Sequence, residues 1–453
     1  MLTSINPYTG EKIEKFKVHT KSDISKKIKK ADKTFQDWRH VSFERKKELM
    51  LKLADELRNN KKDYATAITK EMGKPITQAI AEIEKCAWVC EYYAENAKNQ
   101  LEKEIIETDA KESYVRYDPL GVILAVMPWN YPFWQVFRFI APALMAGNVG
   151  LLKHASNVMR CAENIEQAIL NAGFPEGCFQ NLIIGSKKVE QIIRDKRVKA
   201  VTLTGSKPAG SSVASIAGEE IKKSVLELGG SNALVVFEDA NITETVKTCV
   251  QARFQNTGQS CIAGKRLIVQ ESIYEEFLEE FITQVRELKS GDPMDEETYI
   301  GVLAREDLAI DLEEQLEKSK KQGAKVVLGG KRNKTYFEPT IVINVNKKMT
   351  IFKEETFGPL MAVTRFNSDM EAIDLVNRSA FGLGVSIFTE DYERAKALIP
   401  QFEDGAVFVN ELVKSDPRLP FGGTKESGYG RELSSHGIKE FLNRKTVYIN
   451  KYE

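Results

Sequence analysis

Four short segments of the chain carry residue types that could do chemistry. In Phe254-Gln255-Asn256-Thr257-Gly258-Gln259-Ser260-Cys261 a run of polar and small residues ends on a cysteine. That setting places the thiol on a loop leading into buried structure, with backbone N–H groups free nearby. It favours a lowered thiol pKa and hence the nucleophilic thiolate. A buried, inert thiol is the commoner fate of a cysteine, and that reading is kept for Cys86, Cys161, Cys178 and Cys249. The second segment holds Glu227 in an apolar run ending at Gly229-Gly230. A carboxylate there is either paired in a salt bridge or cap, or desolvated, and desolvation raises its pKa into the range of a general base. The third is Trp129-Asn130, held between Pro128 and Pro132. An amide on so rigid a turn is either an oxyanion donor or an ordinary turn asparagine. The fourth, Val201 to Gly210, is a strand running into Thr204-Gly205-Ser206. A strand, a glycine and a helix start present free N–H groups to a phosphate, although the pattern is not the GxGxxG fingerprint and is weak alone.

The elements that must position these groups follow from periodicity. Apolar residues three and four apart predict helices over Asp23–Arg39 and Ser42–Asn59, with Ser42 as N-cap. A further helical pattern runs over Glu71–Asn99, broken at Gly73-Lys74-Pro75, and Glu104–Tyr117 reads as a hairpin turning near Asp109. Beyond Pro119 strands alternate with helices: strands at 122–128, 149–154, 181–185 and 198–206, with helices over 133–147 and 157–172. A second alternating series follows Cys261, including helices near Tyr274–Lys289 and Met370–Ser379. Such alternation predicts α/β architecture with parallel sheets covered on both faces, in two apposed domains with the site between them.

Composition narrows the function classes. At 453 residues two or more domains are expected. Lys plus Arg balances Asp plus Glu at 65 each, so no overall basic field points to nucleic acid. Gly121–Leu152 is very apolar, but Pro128, Asn130, Pro132, Arg138 and Pro142 interrupt it. No run of ~20 apolar residues survives, so it reads as a buried strand, turn and helix and not a membrane span. Six cysteines with no CxxC pair or Cys/His cluster offer no zinc site and predict reduced thiols in a cytoplasmic setting. The first residues show no targeting pattern. Four histidines, with His154 in a strand, offer no Cys–His pair for a thiol hydrolase.

Taken with Glu354–Pro359 (EETFGP) and Leu419–Glu432 (LPFGGTKESGYGRE), these segments resemble the aldehyde dehydrogenase superfamily in the family's own order, over nearly the whole chain. The resemblance implies a Rossmann-like cofactor domain (1–100 and 119–229), an α/β catalytic domain (230–434) and an oligomerisation β-arm (101–118 and 435–453). Cys261 would be the nucleophile, Glu227 the base that activates water, and Asn130 the oxyanion donor together with the Cys261 N–H. Lys153 would contact the adenosine ribose, Gly205 and Ser206 the pyrophosphate, Glu355 the nicotinamide ribose and Phe357 the nicotinamide. Trp129 and Leu228 match further cofactor-pocket positions. The product is a carboxylic acid formed through a thioester, with no metal required.

Two departures from the family pattern bear on specificity. Ser156 stands where relatives carry a glutamate. A carboxylate there would repel a 2′-phosphate, so serine beside Lys153 predicts NADP, with NAD as the alternative. In the helix after Asn130, Trp134 and Arg138 lie in a segment resembling succinate-semialdehyde dehydrogenases, where the matching arginine binds the substrate carboxylate. A buried arginine needs an anion, which could equally be a structural partner. Gln255 replaces a second substrate arginine of some relatives, which leaves Arg138 and Ser415, in the 412–418 segment, as the expected clamp. Ala263 leaves Cys261 without a nearby disulfide partner. The resemblance therefore implies oxidation of succinate semialdehyde. Other short aldehydes, or a non-catalytic protein of the same fold, are the alternatives. An acylating enzyme is disfavoured by Glu227. The exposed hairpin edge predicts a homodimer or homotetramer.

Overall fold

Three of the four helices in the first hundred residues lie where the spacing predicts, and Lys61–Met72 is additional. The computed structural model describes residues 1–450, and helices run Lys21–Trp38, Phe43–Asn59, Lys61–Met72 and Ile76–Gln100. Ser42 caps the second helix, its hydroxyl accepting from the Arg45 N–H. The break at 73–75 is a left-handed Gly73 closing one helix and Pro75 opening the next. The long fourth helix packs against Phe43–Asn59 and against the helix Trp134–Met145.

The first sheet has six strands in the order Gly428–Tyr429, Lys223–Glu227, Val198–Thr204, Val122–Met127, Val149–His154, Phe179–Asn181. All pairs are parallel except the first. The register aligns Met127 with His154, and Thr204 with Glu227. The turn after Met127, the loop after Thr204 and Glu227 itself therefore converge at the carboxyl ends of the strands, where open α/β sheets bind ligands. The strand expected over 181–185 lies instead at Phe179–Asn181. Leu182 N still donates to Leu152 O at 2.7 Å, and the chain then leaves the ladder.

The second sheet has seven strands in the order Lys325–Leu328, Thr340–Ile343, Leu360–Phe366, Gly264–Gln270, Asn232–Val236, Val385–Phe388, Val407–Val409, parallel except for the first pair. Its residues alternate between two cores: Ala233 and Val235 face one, Leu234 and Val236 the other. That is the signature of a strand covered on both faces. The hairpin Glu104–Ile105 with Glu112–Pro119 is present, and Leu442–Ile449 adds a third antiparallel strand. Of the arm segment 435–453, residues 451–453 lie outside the described residues.

Several helices have no counterpart among the elements expected from periodicity, Lys61–Met72 and Tyr392–Leu398 among them, and two others bear on the site. Ile242–Phe254 buries Thr245 and Arg253 along with its apolar residues, which blurs its stripe. Glu306–Lys321 buries only Ala309, Leu312, Leu316 and Ser319. The first leads directly into the Cys261 loop, and the second borders the larger cavity through Leu308. The apolar segment after Gly121 contains the 12-residue helix Trp134–Met145, buried along its whole length. Among the described residues no helix is long and apolar enough to cross a membrane.

Candidate active site

Cys261 is presented by a tightly constrained loop. The helix Ile242–Phe254 ends in a turn over Gln255–Gly258 in which Asn256, Thr257 and Gly258 all adopt left-handed backbone, with φ of 55°, 53° and 71°. For a β-branched threonine that conformation costs on the order of 1–3 kcal/mol and persists only when neighbours over-determine it. They do. The Asn256 amide donates to the carbonyls of Asn130 (2.9 Å) and Gln259 (3.0 Å), Gly301 N donates to Thr257 Oγ1 (3.0 Å), and Ala304 N donates to Gln259 Oε1 (2.9 Å). Beyond the loop, buried Lys265 donates to the carbonyls of Ser260 (2.7 Å) and Cys261 (2.8 Å). Gly230 lets a second segment approach: a Cβ there would lie 2.5 Å from the Cys261 carbonyl oxygen.

Two cavities meet at Cys261, which lines both. The larger, of about 370 Å³, is bordered by Trp129, Asn130, Gly205, Ser206, Leu228, Glu355 and Phe357. The smaller, of about 170 Å³, is bordered by Lys85, Trp134, Arg138 and Ser415. Among the residues singled out from sequence, Ser156 lines a third cavity with the N-terminal strand pair, and Arg305 borders both it and the larger one. Lys153 sits near the end of its strand and makes no ion pair among the described residues. Burial alone lowers its pKa.

The larger cavity fits a dinucleotide. The helix Lys207–Glu219 opens onto it, Ser206 makes no side-chain cap, and Gly205 N is used by Glu227 O at 2.9 Å. The remaining first-turn amides lack intrahelical partners and suit a pyrophosphate. Glu355 Oε1 is held by Gly230 N (3.1 Å) and Lys265 Nζ (2.9 Å), which leaves Oε2 as an acceptor for a ribose hydroxyl. Trp129 and Phe357 stand edge to face, with centroids 5.7 Å apart.

Asn130 is fixed from three sides. Gln135 Nε2 donates to its Oδ1 (3.0 Å), its own amide donates to Gln259 O (3.0 Å), and its carbonyl accepts from Asn256. One N–H of the amide remains for an oxyanion. The turn is pinned below by buried His154, whose Nε2 bonds Pro132 O at 2.8 Å and whose Nδ1 accepts from Ala155 N at 2.9 Å. That makes His154 a structural anchor, and burial lowers its pKa to about 4.

The acid–base groups differ from expectation in one respect. Burial pushes the Cys261 thiol up to about 11, against the pull of Arg138 and Lys265, with Glu227 and Glu355 adding to the rise. The lowered pKa expected from the loop is therefore not what the fold produces, because desolvation outweighs two cations. Glu227 borders neither cavity. It is 1% exposed, and neither carboxyl oxygen has a hydrogen-bond partner. Burial first, and then Glu432, hold it well above the usual carboxylate range, which Arg138 and Arg431 only partly oppose. Arg138 itself forms a buried ion pair with Glu432, under the Phe421 ring at 4.5 Å. Its anionic partner is thus built into the protein.

The aldehyde dehydrogenase profile matches residues 1–447. The chain belongs to the aldehyde dehydrogenase family. It is 49% identical over 451 residues to a probable succinate-semialdehyde dehydrogenase [NADP(+)] of Synechocystis, covering 99% of both chains. It is 46% identical over 454 residues, again 99% of both chains, to succinate-semialdehyde dehydrogenase [NADP(+)] 1 of Mycobacterium tuberculosis. Among solved structures it is similar to a succinic semialdehyde dehydrogenase from Streptococcus pyogenes in complex with NADP+, with TM-score 0.97, 38% identity and all of both chains covered.

Several residues of this aldehyde dehydrogenase site escaped the sequence reading. Arg305 and Leu308 border the larger cavity from the start of the unpredicted helix Glu306–Lys321. Lys265 lies four residues past Cys261, inside a strand, where a lysine gave no chemical signal. Lys85 and Glu82 did leave a trace: with Gln78 they fall at helical spacing on one face of Ile76–Gln100. Glu82 receives the N–H groups of Phe133 (2.9 Å) and Trp134 (3.0 Å) and pairs with buried Lys74, which fixes the start of the helix bearing Trp134 and Arg138.

Proposed function

We propose that this aldehyde dehydrogenase oxidises succinate semialdehyde to succinate with NADP through a thioester on Cys261. The observation that carries the reading is the pair of cavities sharing Cys261: a backbone-lined one suited to a dinucleotide, and a cation-bearing one suited to a short carboxylated aldehyde. The named relatives and the Streptococcus pyogenes structure support both the substrate and the cofactor.

The Cys261 thiol gives its proton to solvent water and its sulfur adds to the aldehyde carbon, and the oxygen that becomes negative is held by the Asn130 amide and the Cys261 N–H. Gly205, Ser206, Leu228, Glu355, Trp129 and Phe357 would hold a nicotinamide dinucleotide in the larger cavity, and that group would supply the acceptor for the hydride this carbon gives up. Glu227 then takes a proton from water, whose oxygen attacks the thioester carbon, and the Cys261 sulfur leaves with the acid released. Burial raises the Glu227 pKa and the side chain borders neither cavity, so its carboxylate form, the one that can take the proton, is disfavoured by the fold. On the adenosine side, Lys153 without an ion-pair partner among the described residues and the absence of a carboxylate at Ser156 favour a 2′-phosphate.

The same reading assigns 1–100 with 119–229 to the cofactor, 230–434 to catalysis, and 101–118 with 435–453 to a homodimer or homotetramer contact. The three-stranded arm supports that contact through exposed Ile105, Ile106 and Tyr448. Six unpaired thiols support a cytoplasmic location. Steady-state kinetics with succinate semialdehyde and with butanal, each with NADP and with NAD, test the proposal. A kcat/KM at least tenfold higher for succinate semialdehyde with NADP is expected, and equal values for the two aldehydes would overturn the substrate reading.

A further inference from the structure

Three cations border the cavity on the substrate side of Cys261, and they are not equivalent. Arg138 is paired with Glu432 and Lys414 with Glu411. Lys85 has no carboxylate at ion-pair distance among the described residues. The acidic groups nearest to it are committed elsewhere. Both oxygens of Asp416 accept from Arg418, at 2.8 and 2.6 Å, and Glu82 is taken by Lys74 and the amides of Phe133 and Trp134. Lys85 therefore brings to the cavity an amine with no carboxylate partner among the described residues, whereas the Arg138 guanidinium already faces Glu432.

The partners Lys85 does have point the same way. Its Nζ donates to Ser415 Oγ at 3.0 Å and lies 4.4 Å from the centre of the Trp134 ring. Trp134 Nε1 donates to the same Ser415 oxygen at 2.9 Å. A hydroxyl offers two lone pairs and one O–H. With both lone pairs engaged, the Ser415 O–H is left as a donor with no acceptor among the described residues, and two N–H groups of Lys85 are likewise unused. A buried cluster holding only donors is complete when an anion joins it. Burial beside Arg138 also pulls the Lys85 amine down to about 8, a cost that a bound anion relieves.

We propose that Lys85 joins Ser415, backed by Trp134, at the carboxylate-binding end of the substrate cavity, and that Lys85, the lining cation without a carboxylate partner among the described residues, helps to select an acidic aldehyde. The inference rests on the function proposed above and adds a residue that bears on specificity. Lys85 is a binding residue here, reached from the helix Ile76–Gln100 and not from the helix that carries Arg138.

The test uses the full-length protein and the variants Lys85→Met, Lys85→Arg and Ser415→Ala. Losing a charge-assisted hydrogen bond predicts that Lys85→Met raises KM for succinate semialdehyde about 10–100-fold relative to that for butanal, with kcat changed far less. Lys85→Arg is expected to recover part of the ratio, and Ser415→Ala to shift it about tenfold. If Lys85→Met does not fold, the other two variants still decide the matter through the same ratio. A ratio unmoved by all three, with the two KM values rising together, assigns Lys85 a merely structural role and overturns the proposal. Succinate titrated against the intrinsic tryptophan fluorescence gives a readout without turnover. Succinate binding that weakens in Lys85→Met, in a protein that shows no preference for succinate semialdehyde, would support the anion subsite and reject the substrate assignment. Binding unchanged by the substitution rejects the subsite itself.

Discussion

The two cavities that share Cys261 are built from different materials. On the dinucleotide side main chain carries a large share of the wall (the open end of the helix Lys207–Glu219, the loop at Gly205 and the Gly229-Gly230 segment), alongside the rings of Trp129 and Phe357 and Glu355 held by Lys265 and Gly230. On the substrate side they come from buried charged side chains: Lys74–Glu82, Arg138–Glu432 and Lys85. Backbone amides are supplied by any residue, so the first kind of site can recognise a common ligand with few constraints beyond small residues where chains approach. Buried charges each need a partner, so the second kind records its ligand in the one charge left without one. The comparison locates generality in the main chain and selectivity in side chains.

Glu227, which borders neither cavity, gives the largest test of that division. Glu227→Gln keeps both cavities and removes only the base, so steady-state turnover is expected to fall about 10²–10⁴-fold. A single-turnover burst of reduced cofactor should persist, as checked by stopped-flow absorbance. Loss of the burst as well would place Glu227 in the first half of the reaction. The pH dependence has a definite sign. The fold raises the Glu227 pKa, so the carboxylate fraction, and with it the deacylation rate, climbs with pH in a window above the usual carboxylate range. That limb should vanish in the glutamine variant.

Next in size is the buried ion pair. Arg138→Met strands Glu432 without a cation, and removing one member of a buried pair costs about 3–5 kcal/mol. The thermal midpoint should therefore drop. The double variant Arg138→Met with Glu432→Gln should regain most of it. A single variant as stable as the parent would show that Arg138 is not committed to Glu432 and is free to bind substrate. Smallest is Gly229→Ala, whose Cβ would collide with Glu355 Oε2. Displacing that carboxylate is expected to raise KM for the dinucleotide about tenfold, with far less effect on KM for the aldehyde. Equal effects on both would blur the separation of the two sides.

Much of this was legible in local sequence, and the reasons are specific. Ser42 before an apolar-periodic run marks a helix start, and Gly73-Lys74-Pro75 marks a stop, because caps act within one turn. The nucleophile loop was recognisable because left-handed backbone at 256–258 calls for the Asn and Gly residues that occur there. Helices Ile242–Phe254 and Glu306–Lys321 were not visible, since their buried faces mix polar with apolar residues, and Arg305 and Leu308 went unseen with the second of them. The strand near 179–185 was displaced because edge pairing, and not hydrophobicity, sets where a ladder ends.

The sequence by itself marked the proposed reacting groups, Cys261, Glu227, Asn130 and the helix start at Ser206, each by neighbours within a few residues. Only the tertiary structure decided their electrostatics. It raised the Cys261 and Glu227 pKa values by burial, gave Arg138 an internal partner 294 residues away in Glu432, and left Lys85 without one among the described residues. Composition balances the charges over the whole chain, but desolvation and pairing depend on distances across the fold, and no local pattern encodes them.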